Sequence, residues 1–370
     1  MRVVFPYFAQ LHQVFHSLPI AAAMAARHPD VKVHVAGADD THLPFVRDLL
    51  AEHAPDAPVS IDPLSMPLLR RFGSKKKSRT IFKNRDYLRS FDAIVTPERT
   101  SLFMRRVGLG HTRLIWTRHG AGDRAIGFAS DVDGFDFVLM AGRKIEKRLH
   151  EAGLIRPGHY ATGVYAKFDW LRSAAPLRLF DNDRPTVLYN PHFDQELSSW
   201  ERCGLQVLEH FAASTRYNLI FAPHVRLFDP PTLQKYAAFA RYAGLAHMRI
   251  DLGSARSIDM SYSSAADIYL GDVSSQVAEF IVRPRPCVFI DAHRSDWRDN
   301  PDYRFWTLGA VIEQIDELKT ALDAAVERHG EFAEAQRRYV SETFELPESG
   351  EASAARGADA IVEFLRRVAA

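Results

Sequence analysis

Short runs of β-favouring apolar residues alternate with helical patterns along the whole chain. The first run, Arg2 to Phe5, is closed by Pro6, which cannot donate a hydrogen bond to a strand ladder. Strands separated by helix-length segments are typical of βαβ units, so the pattern predicts an α/β fold with parallel sheets. The predicted strands are Arg2–Phe5, Val31–Val35, Val59–Asp62, Asp92–Thr96, Arg113–Thr117, Asp136–Ala141, Thr186–Tyr189, Leu219–Ala222, Met248–Asp251, Asp267–Gly271 and Cys287–Ile290.

Helical patterns fill most of the gaps between the strands of the first half. In the longest of them Pro19 predicts a kink, because proline has no amide proton for the helix. The basic run Arg70 to Arg79 favours a solvated loop, and a phosphate-bearing or membrane-surface partner is the alternative. The clearest predicted helices of this half are His12–Arg27, Leu43–Glu52, Thr100–Arg106 and Arg143–Ala152.

The strands fall into two series, separated by the polar, proline-bearing stretch Asp181 to Pro185. A chain of 370 residues exceeds what one hydrophobic core usually serves. We therefore predict an N-terminal Rossmann-like domain at 1–172, a C-terminal one at 184–345, and a final helix within 346–370 that the sequence assigns to neither domain. Two such domains are expected to face one another across a cleft, with ligands at the carboxyl ends of the strands.

Composition and charge narrow the class of protein. Hydrophobic residues make up 46% and charged residues 25%, as in soluble globular proteins, and a net charge of +1 argues against a nucleic-acid partner. The two cysteines fit a reducing compartment. With no secretory signal pattern and no apolar run near the ~18 residues of a membrane span, we expect a cytoplasmic protein. Peripheral contact with the inner face of the membrane through Lys75, Lys76 and Lys77 is the alternative.

The first candidate site is the turn from Gly271 to Ser275. It joins the strand Asp267–Gly271 to the helical stretch Gln276–Val282 and carries Asp272, Ser274 and Ser275. Free amides at a helix start, together with two hydroxyls, suit an anion such as a diphosphate. The alternative is that Ser274 is only a helix N-cap, which is the commoner role of an isolated serine pair.

Two histidines follow predicted strands in the same way. His119, followed by Gly120, comes after Arg113–Thr117, and histidine suits general-base work near neutral pH, while glycine lets a ligand approach the backbone. His224 closes Leu219–Ala222 with Arg226 nearby, and this pair would stabilise charge on a phosphate leaving group. A purely structural histidine is the alternative for each of them.

Other polar positions are less specific. The segment Tyr189–Phe193, which carries Asn190 and His192, closes the first strand of the second series; it either lines the same cleft or makes no ligand contact. Glu279 either reaches a ligand hydroxyl or lies on a solvated helix face. His12 and His16 have a metal-ligand spacing but no third ligand, so we expect no metal, and nothing indicates a cofactor. The sequence has no phosphate-loop, nucleophile-elbow or zinc-protease motif, which excludes the common classes of ATPase, esterase and metalloprotease.

Taken in order, three segments resemble the CDP-glycerol glycerophosphotransferase family, the teichoic-acid type enzymes of the GT-B fold. They are His119-Gly120, Pro223-His224 and Asp272-Val273-Ser274-Ser275, supported by the flanks Ser263–Asp267 and Arg285–Ile290 in a match from about Asp92 to Leu322.

The resemblance implies a GT-B fold and a reaction. An acceptor hydroxyl, on a glycan or a lipid-linked molecule, would attack the β-phosphate of a CDP-linked alditol and release CMP. By the same resemblance His119 would be the base, His224, Ser274 and Ser275 would hold the donor phosphates, and Asp272 would shape the turn. Glu279 would contact the nucleotide or the transferred group.

The sequence departs from the family pattern at two places. Val273 stands where the family often has tyrosine, and Ala121-Gly122-Asp123 follows the His-Gly pair in place of a Thr-Pro type sequence. These departures leave the transferred group open. A GT-B nucleotide-sugar glycosyltransferase or a related epimerase is the enzyme alternative, and a nucleotide-binding protein without turnover is the non-enzyme one.

Overall fold

The computed structural model describes residues 1–8, 10–66, 74–123, 128–171, 177–345 and 352–369, without the side chains of 74–76. The strands are β1 Arg2–Pro6, β2 Lys32–Gly37, β3 Ser60–Pro63, β4 Ala93–Thr96, β5 Arg113–Trp116, β6 Phe137–Leu139, β7 Tyr160–Ala161, β8 Thr186–Asn190, β9 Asn218–Phe221, β10 Met248–Ile250, β11 Ile268–Gly271, β12 Cys287–Ile290 and β13 Ala310–Ile312.

Helices occupy most of the connections between these strands. The α-helices are α1 Leu18–Arg27, α2 His42–His53, α3 Ser74–Lys83, α4 Arg85–Arg89, α5 Phe103–Arg106, α6 Arg143–Glu151, α7 Lys167–Leu171, α8 Leu205–Ala212, α9 Leu233–Ala237, α10 Ala240–Ala243, α11 Ser261–Ala265, α12 Gln276–Phe280, α13 Leu318–Glu327, α14 Gly330–Thr343 and α15 Ser353–Ala369. Short 3-10 helices cover Leu11–His16, Arg99–Leu102, Ser130–Gly134, Ala255–Ser257, Pro301–Leu308 and Ile315–Glu317, and a π-helical turn covers Trp200–Gly204.

The chain forms two compact units, each around its own parallel sheet. Unit 1 is Met1–His119, Phe128–Ser173 and Glu342–Ala370, and unit 2 is Gly120–Gly127 and Ala174–Ser341. The sheet of unit 1 has the order β3-β2-β1-β4-β5-β6-β7, and that of unit 2 has the order β10-β9-β8-β11-β12-β13. The predicted α/β class with two parallel sheets is confirmed. In both sheets the order reverses beside the first strand, between β1 and β4 and between β8 and β11, where ligands of such sheets bind.

The core of unit 2 is apolar on both faces of its sheet. On one face, Phe221 of β9 packs in a cluster with Phe211 of α8 and Leu322 of α13, none of which has exposed surface. On the opposite face, Ile220 of the same strand is also fully buried. Buried parallel strands need this cover on both faces, which explains why β8 to β12 read as nearly continuous apolar runs.

The last helix, α15, packs on α1 in unit 1. Ala358, Ile361 and Val362 are fully buried on its inner face. The Asp169 carboxylate accepts hydrogen bonds from the amides of Ser353 and Ala354, at 3.0 and 2.5 Å, and so satisfies donors at the start of the helix. The sequence alone could not assign this helix to a domain; burial of its apolar stripe does.

The predicted helix His12–Arg27 and the loop predicted over the basic run differ from the structure. The predicted helix His12–Arg27 divides at Ser17, whose backbone leaves the helical region at φ −137°. Pro19 lies in the first turn of α1, where a missing amide proton loses no hydrogen bond, so the predicted helix is broken just before the proline instead of bending at it.

The solvated loop predicted over the basic run is also wrong where the structure describes it. Residues 74–79 belong to α3, because Thr80 and Ile81 are buried and give the helix an inward face. Residues 70–73 lie outside the described part of the chain. Two strands were missed, β7 and β13, each too short for an apolar alternation to be visible. Among the described residues, no helix has the length and apolar character needed to cross a bilayer.

Candidate functional site

The switch point of unit 2 brings the ends of β8 and β11 together. Gly271 pairs with Asn190 in the parallel register, so the segments that follow these two residues leave the sheet side by side. The first continues as Pro191-His192 and the second as Asp272 to Ser275. The turn predicted as an anion site therefore lies at the crevice that this strand order creates.

Asp272 holds the two segments together. Its carboxylate is fully buried and accepts hydrogen bonds from the amides of His192 at 2.8 Å, Ser199 at 2.7 Å and Val273 at 2.7 Å. The Ser199 hydroxyl adds a fourth at 2.9 Å, and the Trp306 indole N–H donates to the Asp272 carbonyl at 2.9 Å. Burial raises the pKa of Asp272 to about 6, although the donors around it favour the charged form. The residue therefore shapes the turn, which is the role that the family resemblance implied for it.

The two serines of the turn have different surroundings. Ser274 is 1% exposed, and its hydroxyl donates to Asn190 Oδ1 at 2.9 Å and accepts from the Gln276 amide at 3.3 Å. Asn190 is equally buried, and its Nδ2 donates to the Ala222 carbonyl at 2.6 Å. Ser275, in contrast, is exposed at the start of α12. Ser274 and Asn190 thus brace the strand ends, while Ser275 stays exposed to solvent.

A glycine-rich segment of unit 2 approaches Ser275. Gly120 has a φ of +73°, and a Cβ atom added there would lie 3.4 Å from Ser275 Oγ. A Cβ on Gly122 would lie 2.9 Å from the Cβ of Ser275, closer than real side chains pack. Asp123 anchors the segment, because its buried carboxylate accepts from the Tyr339 hydroxyl at 2.7 Å. Gly120 and Gly122, which were predicted to let a ligand approach the backbone, therefore also make room for the Ser275 side chain.

Two histidines of unit 2 show matching tautomers. The Asp194 amide donates to Nδ1 of His192 at 3.1 Å, and the Arg226 amide donates to Nδ1 of His224 at 3.2 Å. In each neutral ring the proton must therefore be on Nε2, which can donate to an anion without the ring being charged. The ring centroids are 5.6 Å apart.

Arg226 adds a charge beside these rings. Its guanidinium lies over the Phe193 ring, 3.8 Å from the centroid, and the residue is exposed. Phe193 also packs against the His224 ring at 4.6 Å between centroids, so the cation and the imidazoles share one aromatic support. Two N–H donors and one guanidinium can together receive a phosphate group.

His192 lies in the segment Tyr189–Phe193, which the sequence offered as lining the cleft, but no role of its own was predicted for this histidine. The signal was present, because Pro191-His192 follows β8 as Pro223-His224 follows β9. Tyr189 pairs with Phe221 in the register, and the His224 amide donates to the Pro191 carbonyl at 2.9 Å, so the two Pro-His pairs are structurally equivalent neighbours. Glu279, on α12, is 7% exposed, which excludes the solvated face considered for it.

In unit 1, His119 follows β5 with the opposite tautomer. Its Nδ1 lies 2.5 Å from the Pro97 carbonyl oxygen, which can only accept, so Nδ1 carries the proton and Nε2 the lone pair. Burial lowers the pKa of His119, and the nearby Glu98 opposes that shift. The rings of His12 and His16 lie 6.0 and 6.3 Å from it, centroid to centroid. This imidazole is neutral near pH 7 and can accept a proton.

The Lys77 ammonium is bound by side chains of unit 1. Its ammonium forms an ion pair with Glu98 and donates to the hydroxyls of Thr100 at 2.7 Å and Ser101 at 3.1 Å. The Lys77 side chain is only 12% exposed, so we do not retain it as a membrane contact; the side chains of Lys75 and Lys76 lie outside the described residues. In the part of the chain that the structure describes, no three His, Cys, Asp or Glu side chains are grouped to hold a metal ion.

No family model matches the sequence, and no curated protein matches it in sequence. Solved structures match nearly the whole chain. The UDP-GlcNAc 2-epimerase from Neisseria meningitidis bound to UDP-GlcNAc has a TM-score of 0.57 at 10% identity, covering 99% of this chain and 100% of that one. MnaA of S. aureus, in a structure with UDP, has a TM-score of 0.66 at 11% identity, covering 99% and 97%.

A third similar structure is a variant of the wall teichoic acid polymerase TagF soaked with CDPG. Its TM-score is 0.63 at 14% identity, covering 99% of this chain and 89% of that one. These neighbours are GT-B enzymes, so the GT-B fold predicted from the sequence is confirmed. At such identities the likeness concerns the fold.

Proposed function

We propose that the protein is a transferase that moves an alditol phosphate, such as glycerol phosphate, from a CDP-linked donor to an acceptor hydroxyl, releasing CMP. The observation that carries this proposal is the set of donors at the switch point of unit 2. The donors are the Nε2–H groups of His192 and His224, the Arg226 guanidinium and the hydroxyl of the exposed Ser275, and these residues follow the ends of the neighbouring strands β8, β9 and β11. Their number and spread suit a diphosphate better than a single carboxylate.

The reaction would need these donors most in its transition state. The acceptor oxygen forms a bond to the β-phosphorus while the bond from that phosphorus to the bridging oxygen breaks, and CMP leaves with that oxygen. Charge develops on the bridging oxygen and on the transferred phosphoryl group. Fixed N–H donors and a guanidinium stabilise this charge without having to reorganise.

We assign the acceptor's proton to His119. Two properties of this side chain support the assignment: Nδ1 is held by the Pro97 carbonyl, and burial lowers its pKa, so that Nε2 is available as a base at neutral pH. The acceptor belongs to a glycan or a lipid-linked molecule, and the product to a cell-surface glycan or lipid head group. The proposal includes a location in the cytoplasm or at the inner face of the membrane, where a CDP-linked donor and a lipid-linked acceptor would meet.

The direct test is CMP release from CDP-glycerol, measured with a panel of glycan and lipid-linked acceptors. We expect turnover by the wild-type protein and a roughly 100-fold lower kcat for His224→Ala, the loss seen when one charge-stabilising donor is removed. The matched control is His210→Ala, on α8 of the same unit, which should retain full turnover. Absence of CMP release with every CDP-alditol and acceptor pair would count against the proposal.

A UDP-sugar enzyme is the second candidate, because structures similar to this chain include a UDP-GlcNAc 2-epimerase bound to UDP-GlcNAc and MnaA with UDP. Thermal shift with CDP-glycerol, UDP-GlcNAc and a GDP-sugar separates the candidates, since a ligand that binds only the folded state raises its melting temperature. Stabilisation by UDP-GlcNAc alone, followed by its epimerisation, would replace our proposal. Binding of donors without turnover of any pair would instead indicate a nucleotide-binding protein.

A further inference from the structure

A buried histidine of unit 1 has no part in the reaction described so far. His16 ends the 3-10 helix that follows β1, and it is 6% exposed. Its ring packs edge-on against the Tyr165 ring, at 5.2 Å between centroids. Among the described residues, neither nitrogen of the His16 ring has a hydrogen-bond partner. Buried polar groups are nearly always paired, so this side chain indicates a partner that arrives with a ligand.

The His16 ring lies beside the proposed base. In the strand order β1-β4-β5, the segments that carry His16 and His119 leave the sheet at the switch point of unit 1. The two ring centroids are 6.3 Å apart. Pro97 holds Nδ1 of His119, and Nε2 of that ring also has no partner in the part of the chain that the structure describes. A separation of this size accommodates one molecule whose neighbouring hydroxyls each form a hydrogen bond of about 2.8 Å to one ring.

The charge state of His16 favours a neutral partner. Burial lowers the pKa of His16 well below its ordinary value of 6.5. The Lys167 ammonium, and the rings of His119 and His12 when they are protonated, lower the pKa further, because like charges repel. The ring is therefore neutral near pH 7, with one N–H that donates and one nitrogen that accepts. A hydroxyl can pair with either nitrogen, whereas an anion can pair only with the N–H.

We propose that His16 binds the hydroxyl next to the attacking one, so that the acceptor is a molecule with two adjacent hydroxyls, such as a polyol or a sugar. This inference rests on the proposed function, in which His119 takes the proton of the attacking hydroxyl. His16 makes and breaks no covalent bond. It is a positioning residue that determines which of the two hydroxyls meets Nε2 of His119.

An acceptor with a single hydroxyl would leave His16 buried without a partner. A site built to hydrogen-bond a hydroxyl discriminates against the analogue that lacks it, because the polar group of the site then stays unpaired. One hydrogen bond between neutral groups corresponds to a preference of about tenfold. His16 would therefore contribute to the choice of acceptor as well as to its orientation.

The test compares two acceptors that differ by one hydroxyl: glycerol monobutyl ether with adjacent free hydroxyls, and its analogue without the middle hydroxyl. With CDP-glycerol as the donor, kcat/KM for CMP release should be about tenfold higher for the first acceptor. His16→Phe keeps a ring against Tyr165 but removes both nitrogens, so it should use the two acceptors equally. His16→Gln keeps a donor and an acceptor and should restore part of the preference.

A matched control replaces another histidine of unit 1. His34, in β2, has a 16% exposed side chain and pairs with Asp62 at 2.7 Å, and His34→Gln should keep the wild-type preference. Unchanged circular dichroism and thermal unfolding would show that the variants fold. Equal use of the two acceptors by the wild type, or a preference that persists in His16→Phe, would overturn the inference and leave the proposed function in place.

A binding measurement decides the inference without turnover, since absence of CMP release would count against the proposed function alone. It is nitrogen NMR of the full chain with isotope-labelled histidine, in which His16→Phe identifies the His16 signals by their loss. Glycerol monobutyl ether should shift these signals at about tenfold lower concentration than its analogue does, while the exposed His150 ring stays unchanged. No shift with the ether would overturn the inference. Inorganic phosphate that protonates the His16 ring in place of the ether would also overturn it and assign the subsite to an anion.

Discussion

The two neighbouring serines of the turn after β11 have different surroundings, and this difference determines what replacing each of them should do. Ser274→Ala removes a buried hydroxyl that Asn190 and the Gln276 amide use, so we expect a loss of roughly 1–3 kcal/mol in the free energy of unfolding. Ser275→Ala removes an exposed hydroxyl and should leave stability within about 0.5 kcal/mol of the wild type, while weakening donor binding.

Urea unfolding and isothermal titration with CDP-glycerol measure the two effects separately. The variants should therefore be separable, one in stability and the other in affinity. If Ser274→Ala were as stable as the wild type but failed to bind the donor, the structural role assigned to Ser274 would be wrong.

His119 allows a prediction about pH. Burial lowers its pKa from the ordinary 6.5, so the ring stays neutral at pH values where a solvated histidine would already be half protonated. If it is the base, kcat/KM should fall on the acid side with an apparent pKa below 6.5, because the protonated ring cannot accept a proton. A pH-rate profile measures this, with His150→Ala, an exposed histidine of the same unit, as the control. An acid limb that persists unchanged in His119→Ala would belong to another group.

At the scale of elements, Asp272 connects β11 to the loop after β8. Its pKa is raised to about 6, so the folded state favours the protonated carboxyl. The contribution of Asp272 to stability is therefore full below the unfolded value of 3.8 and falls as the pH rises through about 6. In Asp272→Asn the side chain is neutral at every pH.

The free energy of unfolding of the wild type minus that of Asp272→Asn should accordingly fall by roughly 2 kcal/mol between pH 4 and pH 7. Urea titrations at a series of pH values measure this difference. A difference that is constant across the range would mean that the carboxyl is already charged at pH 4 in the folded protein.

The elements that the sequence predicts well are those whose signal is local. Strands β1 to β6 and β8 to β12 combine apolar runs with turn residues at their ends, and their predicted bounds agree with the structure to within about two residues. The misses depend on distant packing: β7 and β13 are short, and α3 is a helix because Thr80 and Ile81 are buried.

The same distinction between local signals and distant contacts applies to the candidate site. Local sequence places Ser274 and Ser275 after a strand, but the partner that distinguishes them, Asn190, is 84 positions away. The sequence offered His192 only as part of a cleft-lining segment; its equivalence to His224 becomes visible when the two strand ends are compared as neighbours in the sheet. The tautomers of His192 and His224 depend on backbone amides, which no sequence pattern reports.

For the whole molecule, each unit has its own sheet and core, so we expect two unfolding transitions in calorimetry. A core variant in each unit assigns each transition to its unit. Ile361→Ala, in the buried stripe of α15, should lower the transition of unit 1, and Leu322→Ala, in α13, should lower that of unit 2. Each substitution removes a fully buried side chain at a cost of about 2–5 kcal/mol.

A cytidine diphosphate ligand should then raise only the transition that Leu322→Ala lowers, because the proposed phosphate donors His192, His224 and Ser275 all belong to unit 2. At 100 times its dissociation constant the ligand contributes about 2.7 kcal/mol to the folded state. Stabilisation of the transition lowered by Ile361→Ala would move the nucleotide site to unit 1. A single transition lowered by both variants would show that the two cores unfold as one cooperative system.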